Sequence, residues 1–296
     1  MIRAFTYIAQ LKHFLRRAAQ SDTSSAPDTW TAANPLWGHC AVASAIAQKI
    51  FGGDLLRYDL KGTKFEFMGS HYSNRLSYDR LVDFTASQFS GENPCPSITP
   101  TVRERSTVLD PVKYPKVVAR YKQLFWRVLG ARYPENGLFD DGMYHQCFLA
   151  ALDSDCAKMH FGCAFVHEGK IVHVDANRKI PAIAHRCEPE CIRTKITSRT
   201  ESMIGACSHA EEGLLRDVAN MGIKPNEVEM YVAGFYPDMT PWLKTVGEHT
   251  CIRCSTAMHL AGVKAVYVPV DDHWQAVDLS TMLEHSFAYA LGEKKV

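Results

Sequence analysis

SHAEEGLLRDVANMG, residues 208–222, sets a histidine two positions before a glutamate at the expected start of a helix. HTCIRCSTAMHLAGV, residues 249–263, carries two cysteines with two residues between them, again where a helix is expected to begin. One imidazole and two thiolates are soft-to-borderline donors that suit zinc, and three protein ligands leave the fourth tetrahedral position to water. His209, Cys251 and Cys254 are therefore the candidate metal ligands. A CxxC turn puts both sulfurs on one side of the first helical turn, and helix N-termini favour anionic thiolates. Water on such a zinc has a pKa of about 7. Glu211 lies beside that water without being a ligand, which fits a proton shuttle. The competing readings are a structural zinc with an idle glutamate, or a redox pair. A structural site wants four protein ligands, and Cys207, upstream of the helix start, is expected to pack in the core instead.

Two further groups carry chemistry. HRCEPECIRTKITSR, 185–199, holds His185, Cys187 and Cys191, which fit either a second, structural zinc or a loop with unpaired thiols; the loop is the expectation. Arg193, Lys195 and Arg199 in the same stretch fit a grip on a substrate phosphate or a solvated face. Near the N-terminus, WGHCAVASAIAQKIFGG places Cys40 at a helix start, where a thiol pKa falls. His71 and Asp83 are expected on two successive strands, side by side if the strands pair. Cys, His and Asp in that layout supply nucleophile, base and orienting group. A buried cysteine on an inert scaffold is the competing reading. Trp30, Trp37 and Trp242 read as packing residues.

Residues 140–296 resemble the cytidine/deoxycytidylate deaminase superfamily. The matching pieces are CAKMHFGCAFVHEGKIV, then CSHAE, then TCIRC followed by AGVKAVYV. The resemblance implies that His209, Cys251 and Cys254 bind Zn2+ and that Glu211 passes the water's proton to a base ring nitrogen and on to the leaving amine. Two features depart from the family: Thr250 stands where proline usually precedes the first cysteine, and YPDMTPWLKTVGEHT is a long insertion. Both bear on the substrate pocket rather than the metal. The N-terminal part, through NPLWGHCAVAS, SHYSNRL and VDFT with QF, resembles YunG-type domains and, more distantly, the transglutaminase/papain-like group.

The elements that must position these residues are legible as periodicity. Helices are expected at 39–51, 114–131, 143–159, after His209, after Cys251 and near 279–291. Strands are expected at 64–76, 80–89, 228–236 and 264–270, with a hairpin at 161–175 turning at Glu168-Gly169. The expected architecture is α/β: a C-terminal cytidine-deaminase-like three-layer α/β/α sandwich with a smaller N-terminal α+β domain. The expected divisions are 1–26 (amphipathic helix and linker), 27–98 (YunG-like domain), 99–139 (connecting loop and helix) and 140–296 (deaminase domain). The first segment, basic and without an acid before Asp22, fits a transit peptide or a helix packed on the body; the packed helix is the expectation.

The chain has 296 residues and a net charge of +1. That balance argues against an enzyme dedicated to long nucleic acid, which needs basic grooves. No apolar run is long enough to span a membrane. Ten cysteines, some at metal spacing, point to a reducing, cytoplasmic setting. The expected activity is zinc-dependent hydrolytic deamination of a nucleobase, foremost cytosine in a free nucleoside or nucleotide. The alternative is a cysteine hydrolase or acyltransferase using Cys40, His71 and Asp83, with the C-terminal part as a zinc-stabilised module. The resemblance also carries an expectation of homo-oligomers.

Overall fold

The structure is a computed structural model; it describes the chain except residues 1–7, 78, 134–136, 189, 197–205, 238, 244–249 and 294–296. It divides into two units, Met1–Pro134 and Glu135–Val296.

In the first unit, Leu11 and Leu15 are one helical turn apart and share a face, so α1 (Ile8–Ala18) buries both. The run CAVASAIAQKIF is small and apolar on nearly every side; α2 (Cys40–Phe51) is accordingly buried along most of its length and stops at Gly52, whose φ is 73°. A four-stranded antiparallel sheet follows, in the order β3-β2-β1-β4, from β1 (Asp54–Asp59), β2 (Ser70–Leu76), β3 (Arg80–Val82) and β4 (Thr101–Arg103). A short α3 (Arg105–Val108) leads to α4 (Pro115–Arg132), which opens with proline at its first position and packs on α1 and α2.

Two strands differ from their expected extent. KFEFMGS forms a 3-10 turn at Glu66–Met68, and β2 begins only at Ser70. Local bonds win there: Thr63 Oγ1 donates to the Leu60 carbonyl and accepts from the Phe65 N–H, and Glu66 accepts from Gly62 N–H. Likewise β3 ends at Val82, because Asp83 accepts from the Thr85 N–H and turns the chain into Ala86–Phe89.

The second unit begins with α5 (Gly142–Ala151), capped by Asp141 Oδ1 accepting from Tyr144 N–H at 2.8 Å. It ends earlier than expected, at a Leu-Asp-Ser run whose side chains favour turns over helix. The hairpin β5 (His160–His167) and β6 (Lys170–Ala176) turns at Glu168 (φ 51°) and Gly169 (φ 73°), the left-handed pair of a tight hairpin. A two-stranded piece, β7 (Arg178–Lys179) with β8 (Cys207–Ser208), delivers the chain to α6 (Ala210–Asn220). Then come β9 (Val228–Phe235), the short β10 (Pro241–Trp242), α7 (Ile252–Ala261), β11 (Ala265–Val270), β12 (His273–Val277) and α8 (Leu279–Leu291).

The sheet order is β12-β11-β9-β5-β6, with β10 paired to β9. Only β9 and β11 run parallel, joined through α7; the other neighbours are antiparallel. Alternation along β5 settles which face each helix takes. A Cβ on Gly162 would collide with the backbone carbonyl of Cys147 on α5. Its neighbours Cys163 and Phe165 face the other way, into a core with Ala210, Leu214 and Val218 of α6 and Cys254 and Met258 of α7. So α5 covers one face of the sheet, and α6 and α7 the other. Trp242 packs edge-on against Phe161 at 4.9 Å. Among the described residues no helix is long and apolar enough to cross a membrane.

Candidate functional site

His209 is the N-cap of α6 and Cys251 the N-cap of α7, both extended, with ψ of 154°. The two helices lie on the same face of the sheet, and their N-termini converge. His209 Nδ1 lies 3.2 Å from Cys251 Sγ and 3.2 Å from Cys254 Sγ, and the two sulfurs are 3.3 Å apart. Among the described residues this is the one group of three or more His, Cys, Asp or Glu donors close enough together to hold a metal ion. Its chemistry fits zinc: two sulfurs, one imidazole nitrogen, and no fourth protein donor within the group.

Electrostatics prepares the donors. A hydrogen bond from Cys254 is the largest influence on Cys251 and, with the His209 imidazole, brings its thiol down to about 4 against the opposing effect of burial. Burial pushes the Cys254 thiol up. His209 is driven down by burial, but hydrogen bonds with Cys207 and Cys251 outweigh that and raise it to about 11. A divalent cation held by these three donors would take the place of the ring proton.

Glu211, in the first turn of α6, is 7% exposed. Burial raises its carboxyl above the usual range, while His209 and a hydrogen bond with Cys254 pull the other way. A buried carboxyl beside the donor set, with its pKa raised by burial, is the kind of group that serves as a proton shuttle.

Three supports were not legible in the motifs. Glu212 accepts from the His209 backbone N–H at 3.1 Å and is paired with Arg253, whose Nε lies 3.0 Å from Oε1. This ion pair joins the two ligand-bearing helices, and it outweighs burial to keep Glu212 below the usual carboxylate range. Thr250, at the usual proline position, is buried; its hydroxyl lies 2.9 Å from that of Ser255, which lies 2.7 Å from Ser286 Oγ on α8. Ser286 donates in turn to the Thr250 carbonyl. The chain entering α7 is thereby tied to α8 by hydroxyls instead of by a proline ring. Cys207 is buried as expected, and it also hydrogen-bonds His209. The signals were present, an acid at the third helical position and an arginine inside CIRC, but only the fold shows that they meet.

The other candidates fall elsewhere. Among the described residues His185 does not join Cys187 and Cys191 in a metal-sized group; it is exposed, while both cysteines are buried. Cys187 and Cys191 instead line a small cavity with Cys156, Cys207, Lys179 and Arg193. Arg193 is thus half-buried at that cavity, Lys195 is exposed, and Arg199 lies outside the described residues. In the first unit His71 Nε2 sits 2.8 Å from Asp83 Oδ2, and Cys40, at the first position of α2, hydrogen-bonds His71. The three residues named from β2, the turn after β3 and the start of α2 are brought together. Trp30 and Trp37 donate to the Pro35 carbonyl and to Thr29 Oγ1, each at 2.9 Å, and remain half-buried.

Residues 7–132 match the family described as YunG protein, and residues 139–270 match the cytidine and deoxycytidylate deaminase zinc-binding region. Each match covers less than half of the chain. No curated protein matches it.

Proposed function

With a YunG domain in front of a cytidine and deoxycytidylate deaminase zinc-binding region, we propose that the chain is a zinc-dependent hydrolytic deaminase of a nucleobase, foremost cytosine in a free nucleoside or nucleotide. The observation that carries the reading is the buried Glu211 carboxyl lodged beside His209, Cys251 and Cys254. Zinc held by those three residues supplies Lewis-acid activation of water. Glu211 takes a proton from the attacking water, gives it to the ring nitrogen as the C–O bond forms, and delivers a second to the amine as the C–N bond breaks. The products are the oxo base and ammonia. Glu212 and Arg253 hold the two helix tips at the distance this requires. Arg193, which lines a small cavity with Cys207, is the residue this reading assigns to a substrate phosphate. The partners in this reading are small molecules, in a cytoplasmic setting, and the assembly is a homo-oligomer.

The experiment is incubation of the zinc-loaded chain with mixed nucleosides and nucleotides, read by mass spectrometry. A gain of about one mass unit in a cytosine compound is the expected exchange of amine for oxo. No such shift in any member of the mixture refutes the reading. The alternative, in which the zinc is purely structural and chemistry resides at Cys40, predicts that Glu211→Gln leaves every activity of the chain intact.

A further inference from the structure

We propose that the first unit holds an active site of its own, in which Cys40 attacks the carbonyl of an acyl compound that carries a carboxylate. The site is built from residues distant in sequence. Cys40 starts a helix of 12 residues and hydrogen-bonds His71. His71 is completely buried, walled by Phe89 at 4.8 Å and Tyr58 at 6.3 Å between ring centres. Its Nε2 meets Asp83 Oδ2 at 2.8 Å. Asp83 is itself fixed: Oδ1 accepts from the Thr85 N–H at 2.8 Å and from Thr85 Oγ1 at 3.2 Å.

Burial alone pulls the His71 imidazole down, but the bonds to Asp83 and Cys40 overcome it and hold the ring at about 9. At neutral pH His71 therefore holds a proton, which it can give to a leaving group.

Two more features belong to the same place. Gln88, 2% exposed, puts its side-chain amide 2.9 Å from His71 Nδ1, and its Oε1 has no partner in the interior. Its amide nitrogen is taken up by His71 and by Thr85 Oγ1 at 3.3 Å, so the unused oxygen is an acceptor able to take a hydrogen bond from a donor on the substrate. A cation acts on the cysteine as well: Arg120, half-buried, interacts electrostatically with Cys40. Among the described residues no carboxylate pairs with it. An arginine without counter-charge near a nucleophile favours an anionic substrate group.

The Cys40 thiolate forms a C–S bond to the acyl carbon, the bond from that carbon to the leaving oxygen or nitrogen breaks, and His71 gives the leaving group its proton. Water then attacks the thioester: a C–O bond forms, the C–S bond breaks, and the water's proton returns to His71. Asp83 is a positioning residue throughout.

The test uses the full zinc-loaded chain with p-nitrophenyl hemisuccinate and p-nitrophenyl acetate. The expected result is a burst of nitrophenolate, a succinyl adduct at Cys40 by peptide mapping, and about tenfold or more preference for the hemisuccinate, the worth of one charged hydrogen bond. Cys40→Ala abolishes the adduct, Asp83→Asn slows its formation by about a hundredfold or more, and Arg120→Gln removes the preference. Circular dichroism and zinc content are followed in each variant. Acylation of other cysteines, a well-folded Asp83→Asn variant reacting at the original rate, or equal rates for the two esters overturns the proposal. Should Asp83→Asn not fold, the adduct map and the ester preference decide it alone.

Discussion

Each unit brings a cysteine at a helix N-terminus against a histidine, fully buried in the first and half-buried in the second, and the two arrangements differ in chemistry. In the first, the histidine's Nε2 is held by Asp83, Nδ1 lies against the Gln88 amide, and a single sulfur bonds the ring. In the second, one histidine nitrogen faces two sulfurs, and the buried carboxyl, Glu211, bonds a cysteine instead of the ring. The position of the carboxylate makes the difference. A carboxylate on the imidazole fixes the ring beside one sulfur, which suits a nucleophile. Two sulfurs on the imidazole, with the carboxylate set aside, suit a cation that would take the place of the ring proton.

The sharpest way to break this contrast is at the metal. Cys251→Ser removes one of three donors and is expected to take zinc from about one per chain to near zero, measured by elemental analysis; retained zinc contradicts the ligand set. Glu211→Gln is expected to leave zinc in place and to reduce deamination by about 10²–10⁴-fold, the usual worth of a general acid–base group. If zinc leaves as well, the carboxylate is part of the cage and the contrast between the units weakens. Arg253→Ala cuts the tie between the helices that carry the ligands, and zinc affinity should fall by about 10–100-fold in a competition titration with a chelator. An unchanged affinity means that the hydroxyl tie through Thr250 suffices.

The first unit offers a pH signature. His71 is raised from 6.5 to about 9 in the folded chain. Below 6.5 the ring is protonated folded or unfolded, so its contribution to stability is complete there, and it is lost as pH rises through 9. Denaturant midpoints of the first unit's transition should therefore decline between pH 6.5 and 9, and Asp83→Asn should flatten the decline. The smallest effect belongs to Thr250→Val, which removes one of the two hydroxyl partners of buried Ser255; a loss of about 1 kcal/mol is expected, read as a lower midpoint for the second unit.

Local signals served well where one element carries its own pattern. The hairpin turn at Glu168-Gly169 and the helices that begin at Cys40 and after Cys251 lie where periodicity puts them. They served poorly where burial comes from neighbours. DLLRYD has too little alternation to stand out, yet β1 is the strand that joins β2 to β4. HWQAV is too short for its pattern to stand out, yet β12 pairs with β11 at the sheet edge. KFEFMGS looks like a strand until its threonine and glutamate claim the backbone.

Residue types and spacings were enough to name the donors His209, Cys251 and Cys254 and the adjacent Glu211, because metal and proton chemistry restrict which side chains can serve and how far apart a helical turn sets them. They also suggested that Cys40, His71 and Asp83 belong together. Tertiary structure alone decided that Arg253 reaches Glu212, that Thr250 reaches Ser286 by way of Ser255, that Gln88 lies against His71, and that His185 stands apart from Cys187 and Cys191. Such contacts join residues between 5 and 41 positions apart, a separation over which no helical or strand period operates. Their geometry is fixed by how the layers pack around the sheet.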